Sequence, residues 1–256
     1  MPERIDYDER QHAVYAAGRD LSPERAQFWA GVFARRAPAD RPLTALDLGS
    51  GTGRFTRVLA DTFGGPAYGV EPSVRMREQA EPHPGVHYLA GSAEAIPLPD
   101  RSCDGILMFL VLHHVTDRPA AAAEIRRVLR PDGRLLIRST FSDRLHDPLW
   151  HRFFPGARAI EEQMFPTVAE VTEVFEAAGL AVVGLDRVRE TLAPGLAAYA
   201  ERLRLRAISV FEHLTEDEIE RGFADLDRAV AAGDSPGPVT TDCDLLVLEP
   251  RHRSER

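Results

Sequence analysis

Short apolar runs alternate with helical segments along much of this 256-residue chain, and this alternation constrains the fold more than any other feature. Most runs contain four to six consecutive apolar residues, as expected for strands buried on both faces. Helices between successive strands are typical of a parallel sheet that they cover on both sides. The strands are predicted at 44–49, 67–72, 86–92, 103–112, 133–140, 180–187 and 243–250.

Helices are predicted between these strands. Ser22 precedes Pro23, a serine cap followed by proline in the first turn. The aromatic-rich segment 141–166 interrupts the alternation, and we expect it to leave the sheet. No repeat and no long linker divides the chain, so we expect a single domain over 1–256. Apolar residues at helical spacing cover 8–36, 53–63, 73–80, 118–130, 167–178, 194–211 and 215–232.

Charge and hydropathy exclude several function classes. The net charge is −9, whereas proteins that bind nucleic acid usually present a basic face. No apolar stretch approaches the roughly 20 residues of a membrane span. The charged N-terminus lacks the apolar centre of a signal peptide. We therefore expect a soluble cytoplasmic protein that binds neither nucleic acid nor membrane.

Cysteine and lysine usage excludes further chemistry. Cys103 and Cys243 match neither a disulfide framework nor a zinc cluster, and no metal site is predicted. The chain has no lysine, so its 31 basic residues are all arginine. A Schiff-base or lysine-nucleophile mechanism is therefore excluded.

Three glycines stand within five positions directly after the first predicted strand. Gly49, Gly51 and Gly53 lie between the run ALDL and a helical segment. A strand, a glycine-rich turn and a helix can hold a nucleotide-like ligand, because backbone N–H groups and the helix N-terminus face it. The dinucleotide fingerprint requires a glycine where this chain has Arg54, and a P-loop requires lysine. Neither pattern fits.

The stretch LDLGSGTGRFT closely resembles the first motif of the S-adenosylmethionine (SAM)-dependent methyltransferases of the Rossmann-like class. YGVEPS, GSAEAIPLPDRSCDGILMFLVLHHV and RVLRPDGRLLI resemble later motifs, so the resemblance covers about residues 43–140. It implies an α/β fold with a seven-stranded, mostly parallel sheet flanked by helices, whose last strand is antiparallel. We then expect an N-terminal helical lid over 1–40, a SAM-binding core over 43–140, a cap inserted after strand 5 over 141–166, and the rest of the sheet with a helical insertion over 167–250.

The resemblance implies SAM as the cofactor and assigns residues to it. The glycines let the backbone approach the methionine part, and Glu71 stands where the family's acid accepts the ribose hydroxyls. A carboxylate about 18 residues after the last glycine reaches the tip of the neighbouring strand. Ser92 stands where the family often has an aspartate for the adenine amino group. The predicted cofactor-binding residues are Tyr15, Arg19, Asp47, Gly49, Ser50, Gly51, Gly53, Glu71, Pro72, Met76, Ser92, Ala93, Glu94, Met108 and Phe109.

Several of these assignments have a structural alternative. Tyr15 and Arg19 share one helix face, either as a lid over the SAM carboxylate or as a core tyrosine and a surface arginine. Glu94 lies either near the adenine or in solvent. Asp47 is better explained as fixing the glycine turn than as touching a substrate.

Three histidines are candidate catalytic residues. His113 and His114 follow the fourth strand, where relatives place substrate-facing groups, and His146 lies in the cap. An imidazole can take a proton from a hydroxyl nucleophile near neutral pH. The alternative for His113 and His114 is that they pack beside the cofactor. Methyl transfer to an amine or carboxylate needs positioning more than a base.

The cap concentrates aromatic side chains. An insertion after the fifth strand is expected above the carboxyl ends of the sheet, where ligands bind in open α/β folds. An aromatic-lined pocket for an organic acceptor is slightly favoured over simple packing of a helical cap. The predicted substrate-binding residues are Phe141, Trp150, Phe153, Phe154 and Phe165.

The sequence therefore predicts an enzyme that transfers the SAM methyl group to a small organic acceptor through an O, N or C nucleophile. A chain without lysine and asparagine is typical of GC-rich bacterial genomes, an association that favours a natural-product acceptor. We expect a monomer or homodimer. The alternative is a SAM-binding protein that uses the same pocket for cyclisation or regulation. An NAD-dependent oxidoreductase is disfavoured by Arg54.

Overall fold

Seven strands form one sheet in the computed structural model, which describes residues 21–234 and 237–251. The strand order is β3-β2-β1-β4-β5-β7-β6. The pairs β1–β2, β1–β4, β2–β3 and β4–β5 are parallel, whereas β5 and β7 are antiparallel. The strands are β1 (Leu43–Leu48), β2 (Gly64–Glu71), β3 (Val86–Ala90), β4 (Cys103–Phe109), β5 (Leu129–Ser139), β6 (Leu180–Ala193) and β7 (Val239–Pro250).

Except for a helix at Gly156–Met164 in the cap, the helices lie where the apolar spacing predicts them, with shifted ends. Ser22 Oγ accepts the backbone N–H of Arg25 and so caps α1, as the sequence predicts. The predicted part of this helix from 8 to 20 lies outside the described residues. The helices are α1 (Pro23–Arg36), α2 (Arg54–Phe63), α3 (Val74–Glu78), α4 (Arg118–Val128), α5 (Gly156–Met164), α6 (Val168–Ala177), α7 (Leu196–Arg204) and α8 (Glu216–Ala231).

The predicted α/β fold with a mostly parallel seven-stranded sheet and an antiparallel last strand is confirmed. Several boundaries were wrong: β5 begins at Leu129 rather than 133, β2 begins at Gly64 rather than 67, and β4 ends at Phe109 rather than 112. The predicted helix 194–211 ends at Arg204, because Arg206 adopts a φ of 48°, and a short 3-10 helix follows at Ser209–His213. β6 continues to Ala193 and β7 begins at Val239, and their added residues are joined by an ion pair of 2.8 Å between Arg189 and Asp242.

The chain divides into two compact units. The first, called the sheet unit, holds Leu21–Ser139, Val168–Asp186 and the described residues from Asp244 on. The second, called the helical unit, holds Thr140–Thr167 and Arg187–Cys243. No helix in the described ranges is long and apolar enough to cross a membrane.

Each unit has its own apolar interior. In the sheet unit, Trp29 and Phe33 of α1 and Phe55 of α2 surround Phe109 at the end of β4. In the helical unit, side chains of α5, α7 and α8 pack into one hydrophobic cluster with the aromatic residues that precede α5. The first of these interiors lies at the carboxyl end of β4, next to the glycine-rich turn.

Candidate functional site

The glycine-rich turn after β1 is held in a conformation that side chains disfavour. Gly49, Gly51 and Gly53 have φ values of 75°, 55° and 78°, in the left-handed region that glycine tolerates. A Cβ on Gly49 would lie 2.2 Å from Val111 Cγ2, and one on Gly53 would lie 2.0 Å from the Tyr88 hydroxyl oxygen. The turn therefore needs glycine for its backbone angles and for space.

Hydrogen bonds fasten this turn to the neighbouring strand. The backbone N–H groups of Gly49 and Ser50 both donate to the carbonyl of Val70, at 2.8 Å and 3.2 Å. The Ser50 Oγ atom is buried and has no hydrogen-bond partner among the described residues. A buried hydroxyl without a partner is costly, so a ligand that bonds to it would stabilise the turn.

Asp47 links the two elements on either side of the turn. Its side chain is 2% exposed and accepts a hydrogen bond of 2.7 Å from Thr56 Oγ1, which joins the end of β1 to α2. Burial raises the pKa of Asp47 to about 6, against the Thr56 hydrogen bond and the charge of Arg54, which lower it. This arrangement supports the interpretation that Asp47 fixes the turn.

Glu71 ends β2 beside the same turn. Its Oε2 accepts the backbone N–H of Gly51 at 3.0 Å, and its Oε1 accepts that of Ser73 at 2.9 Å. The two oxygens of a carboxylate offer about four acceptor positions, more than these two hydrogen bonds occupy. Ser73 also caps α3 by accepting from the backbone N–H of Met76, whose side chain is buried.

The loop after β3 is ordered by its own backbone. Ser92 and Ala95 exchange backbone hydrogen bonds of 3.2 Å and 3.4 Å across Ala93 and Glu94. The Glu94 carboxylate accepts from the N–H groups of Thr116 and Asp117 before α4. Partial burial acts to raise the pKa of Glu94, but these and other hydrogen bonds lower it overall. The carboxylate thus supports a loop rather than pointing freely into solvent.

The end of β4 carries the other predicted groups of the sheet unit. Met108 and Phe109 are buried, and Leu110 then adopts a φ of 57° while its N–H donates to the Arg138 carbonyl at 2.9 Å. The rings of His113 and His114 pack on each other in the following 3-10 turn, with centroids 3.9 Å apart. The structure thus brings two candidate histidines together, whereas His146 belongs to the helical unit.

The cap aromatics are buried within the helical unit. Trp150, Phe153 and Phe154 belong to its hydrophobic cluster. The Phe154 ring lies 5.0 Å from that of Phe211 and 5.2 Å from that of Phe223. Phe141 and Phe165 are also buried. The assignment of these five residues to the acceptor stays a prediction, as does that of Tyr15 and Arg19, which lie outside the described residues.

Two residues at the site were missed. Tyr88 of β3 lies over Gly53, as a hydroxyl 3.4 Å from the Gly53 carbonyl shows, and nothing in the sequence pattern points to it. Arg138 of β5 is 9% exposed, and its guanidinium Cζ lies 5.2 Å from the centroid of the Phe109 ring. A charged residue inside the apolar run LLIRS was a visible signal for Arg138.

Comparisons with known proteins agree with this geometry. Residues 46–137 match the family model of a methyltransferase domain. Over 158 residues the chain is 30% identical to O-methyltransferase cnsE of Penicillium expansum, which covers 58% of this chain and 56% of that protein. Over 131 residues it is 33% identical to the ubiquinone/menaquinone biosynthesis C-methyltransferase UbiE of Shewanella halifaxensis, which covers 47% and 51%. The matches span about half the length of these relatives.

A solved structure extends the likeness in fold beyond the matched segment. It is a protein from Anabaena variabilis described as a methyltransferase from an antibiotic biosynthesis pathway. The two share 22% identity with a TM-score of 0.69, over 87% of this chain and 96% of that one. The family's cofactor is SAM, and the glycine turn, Glu71 and the buried Ser50 hydroxyl fit it. Residues 46–137 match the methyltransferase domain, and the chain is similar to the SAM-dependent methyltransferases of the Rossmann-like class in sequence over that segment and in fold beyond it.

Proposed function

We propose that this protein transfers the methyl group of SAM to a small organic acceptor by in-line displacement. One observation supports the proposal above the others. Glu71 is buried and is held by Gly51 and Ser73 directly beside the glycine turn. The Glu71 carboxylate at the end of β2 can accept the two hydroxyl groups of a ribose. The glycine turn after β1 leaves its backbone accessible to the chain that is attached to that ribose. The products are the methylated acceptor and S-adenosylhomocysteine.

Each part of the cofactor is assigned to its own group of residues. Glu71 accepts the ribose hydroxyls, while Gly49, Gly51 and Gly53 leave room for the methionine part. Ser92 and Ala93 lie on the adenine side with the half-buried Glu94 loop. Tyr15 and Arg19 cover the amino-acid end of the cofactor as part of an N-terminal lid. The nearby backbone of Met108 and Phe109 borders the sulfonium.

On the acceptor side, the proposed roles depend on the nucleophile. His113, His114 or His146 takes the proton if the nucleophile is a hydroxyl, because imidazole titrates near neutral pH. An amine or carboxylate acceptor needs only alignment with the methyl group. The five cap aromatics form its apolar walls. The relatives named above as O- and C-methyltransferases support a small molecule, and a natural-product acceptor is part of the proposal.

The test is a screen with SAM labelled in its methyl group. Purified protein is incubated with phenols, amines, carboxylic acids and activated carbon nucleophiles, and labelled product is separated from SAM. We expect label in one acceptor class at a rate proportional to enzyme. If SAM binds but no class accepts label, the protein uses the pocket for cyclisation or regulation, and the proposal is wrong. We also propose that it acts in the cytoplasm as a monomer or homodimer.

A further inference from the structure

A buried arginine stands at the carboxyl end of the sheet beside the predicted methyl-transfer position. Arg138 of β5 pairs in register with Phe109 of β4, so both side chains project from the same face. The Arg138 residue is 9% exposed, and its guanidinium lies over the Phe109 ring at 5.2 Å. Arg54 lies over the same ring at 5.8 Å and adds a second positive charge.

This guanidinium has no counter-charge within the described part of the chain. Across 21–234 and 237–251, no carboxylate forms an ion pair with Arg138, and its buried Nε has no hydrogen-bond acceptor. Two other arginines of the unit are paired: Arg134, four residues earlier on β5, lies 2.8 Å from Glu249, and Arg127 lies 2.7 Å from Glu124. Arginine stays charged in proteins, and a buried unpaired charge is strongly unfavourable.

We propose that Arg138 binds a carboxylate of the acceptor and so makes the enzyme selective for acidic acceptors. The guanidinium presents paired N–H donors that match a carboxylate, and its Cζ lies 5.2 Å from the centroid of the Phe109 ring. Ligands of open α/β sheets bind at the carboxyl ends of the strands, where Arg138 stands. This inference rests on the proposed function for the identity of the acceptor.

The strand order separates Arg138 from the ribose side of the site. Glu71 ends β2, and β5 is three strands away in the order β2-β1-β4-β5, roughly 14 Å at the usual strand spacing. The acceptor enters beyond β4, on the side of Arg138. SAM also carries a carboxylate, in its methionine part. The experiment must therefore distinguish an acceptor carboxylate from the SAM carboxylate as the partner of Arg138.

The experiment measures binding to the full chain loaded with S-adenosylhomocysteine. Benzoate, phenylacetate and acetate are each titrated against the corresponding amide by calorimetry, with wild type, Arg138→Gln and Arg138→Met. Arg134→Gln is the matched control, because it makes the same substitution on the same strand at a paired arginine. We expect wild type and the control to prefer at least one acid by about tenfold or more, the scale of a charge-assisted pair. Both Arg138 variants should lose that preference.

A cofactor arm uses S-adenosylhomocysteine and 5′-methylthioadenosine, which lacks the amino-acid part. We expect both to bind the Arg138 variants within about twofold of wild type. The proposal is overturned if no acid is preferred, if the variants keep the preference, or if they lose S-adenosylhomocysteine alone. The last result would assign Arg138 to the cofactor carboxylate. Acid preference without methyl transfer in the screen would contradict the proposed function and leave this inference standing.

Discussion

Glu71 Oε2 accepts the backbone N–H of Gly51 at 3.0 Å, so the acid that ends β2 is bonded to the glycine turn that follows β1. This bond fixes the carboxylate at the point where two parallel strands end. A group so held needs no rearrangement to accept the hydroxyls of a ribose, which reduces the entropic cost of binding.

Replacing this acid should weaken cofactor binding. We expect Glu71→Ala to cost about 1–3 kcal/mol of SAM affinity, because a charge-assisted acceptor is lost. The exposed Glu78 in α3 gives a matched control, since Glu78→Ala removes the same charge a short distance away. Calorimetry with SAM checks both variants, with circular dichroism to confirm folding. Unchanged affinity in a folded Glu71→Ala protein would contradict the assignment.

The glycine turn should tolerate no side chain at its first position. Gly49→Ala places a Cβ 2.2 Å from Val111 at a φ of 75°, so it adds a clash to backbone strain. Gly64 has a φ of 73° with open space around it, so Gly64→Ala measures the strain alone, about 1–2 kcal/mol.

Denaturant unfolding and SAM titration of these two variants separate the cost of backbone strain from the cost of the clash with Val111. We expect Gly49→Ala to lose more stability than Gly64→Ala and to lose SAM affinity as well. Adding Val111→Ala to Gly49→Ala should recover some of the loss due to the clash, because it removes both Cγ atoms of residue 111 and leaves only its Cβ, 2.9 Å away. Equal losses in the two single variants would show that crowding at Val111 plays no part.

Asp47 should make stability depend on pH. Its pKa is about 6 in the folded protein and 3.8 as an ordinary aspartate. Because the folded value is raised, its favourable contribution is complete below about pH 4 and is lost as pH rises through 6. Relative to wild type, Asp47→Asn should therefore gain stability between pH 4 and 7, by roughly 3 kcal/mol at most. Urea unfolding at pH 4, 5, 6 and 7 measures this; a difference that stays constant with pH would contradict the effect.

The cap offers a test that separates packing from acceptor binding. Phe154 is 1% exposed among Phe211 and Phe223, so Phe154→Ala should cost about 3–5 kcal/mol of unfolding free energy. The same substitution at Phe28, which is 38% exposed, should cost much less. Phe153→Ala is measured for both stability and the acceptor KM. A raised KM at unchanged SAM affinity supports the acceptor pocket, whereas a stability loss with unchanged KM restricts Phe153 to packing.

Much of the fold was predictable because the sheet is parallel and buried. Such strands are short apolar runs between helices, so their number and rough limits are visible in the sequence. The glycine turn and Glu71 were predictable because their chemistry depends on spacing along the chain. Residues 239–242 were missed because only Val239 is apolar there, and their strand pairing is not encoded in an apolar run.

The rest depends on contacts between distant segments. The packing of Phe154 against Phe211 and Phe223 joins residues more than fifty positions apart, which no local pattern specifies. The unpaired state of Arg138 is likewise a property of its surroundings, because an arginine in a strand gives no sign of whether an acid faces it. The division into two units follows from such contacts as well.

The central claim is that the glycine turn and Glu71 form a SAM site, and a calorimetric titration of the purified protein tests it most directly. SAM, S-adenosylhomocysteine and NAD are titrated separately under the same conditions. We predict saturable binding of SAM and S-adenosylhomocysteine with one site per chain, and no measurable heat from NAD. Binding of NAD, or the absence of SAM binding in a folded protein, would contradict it.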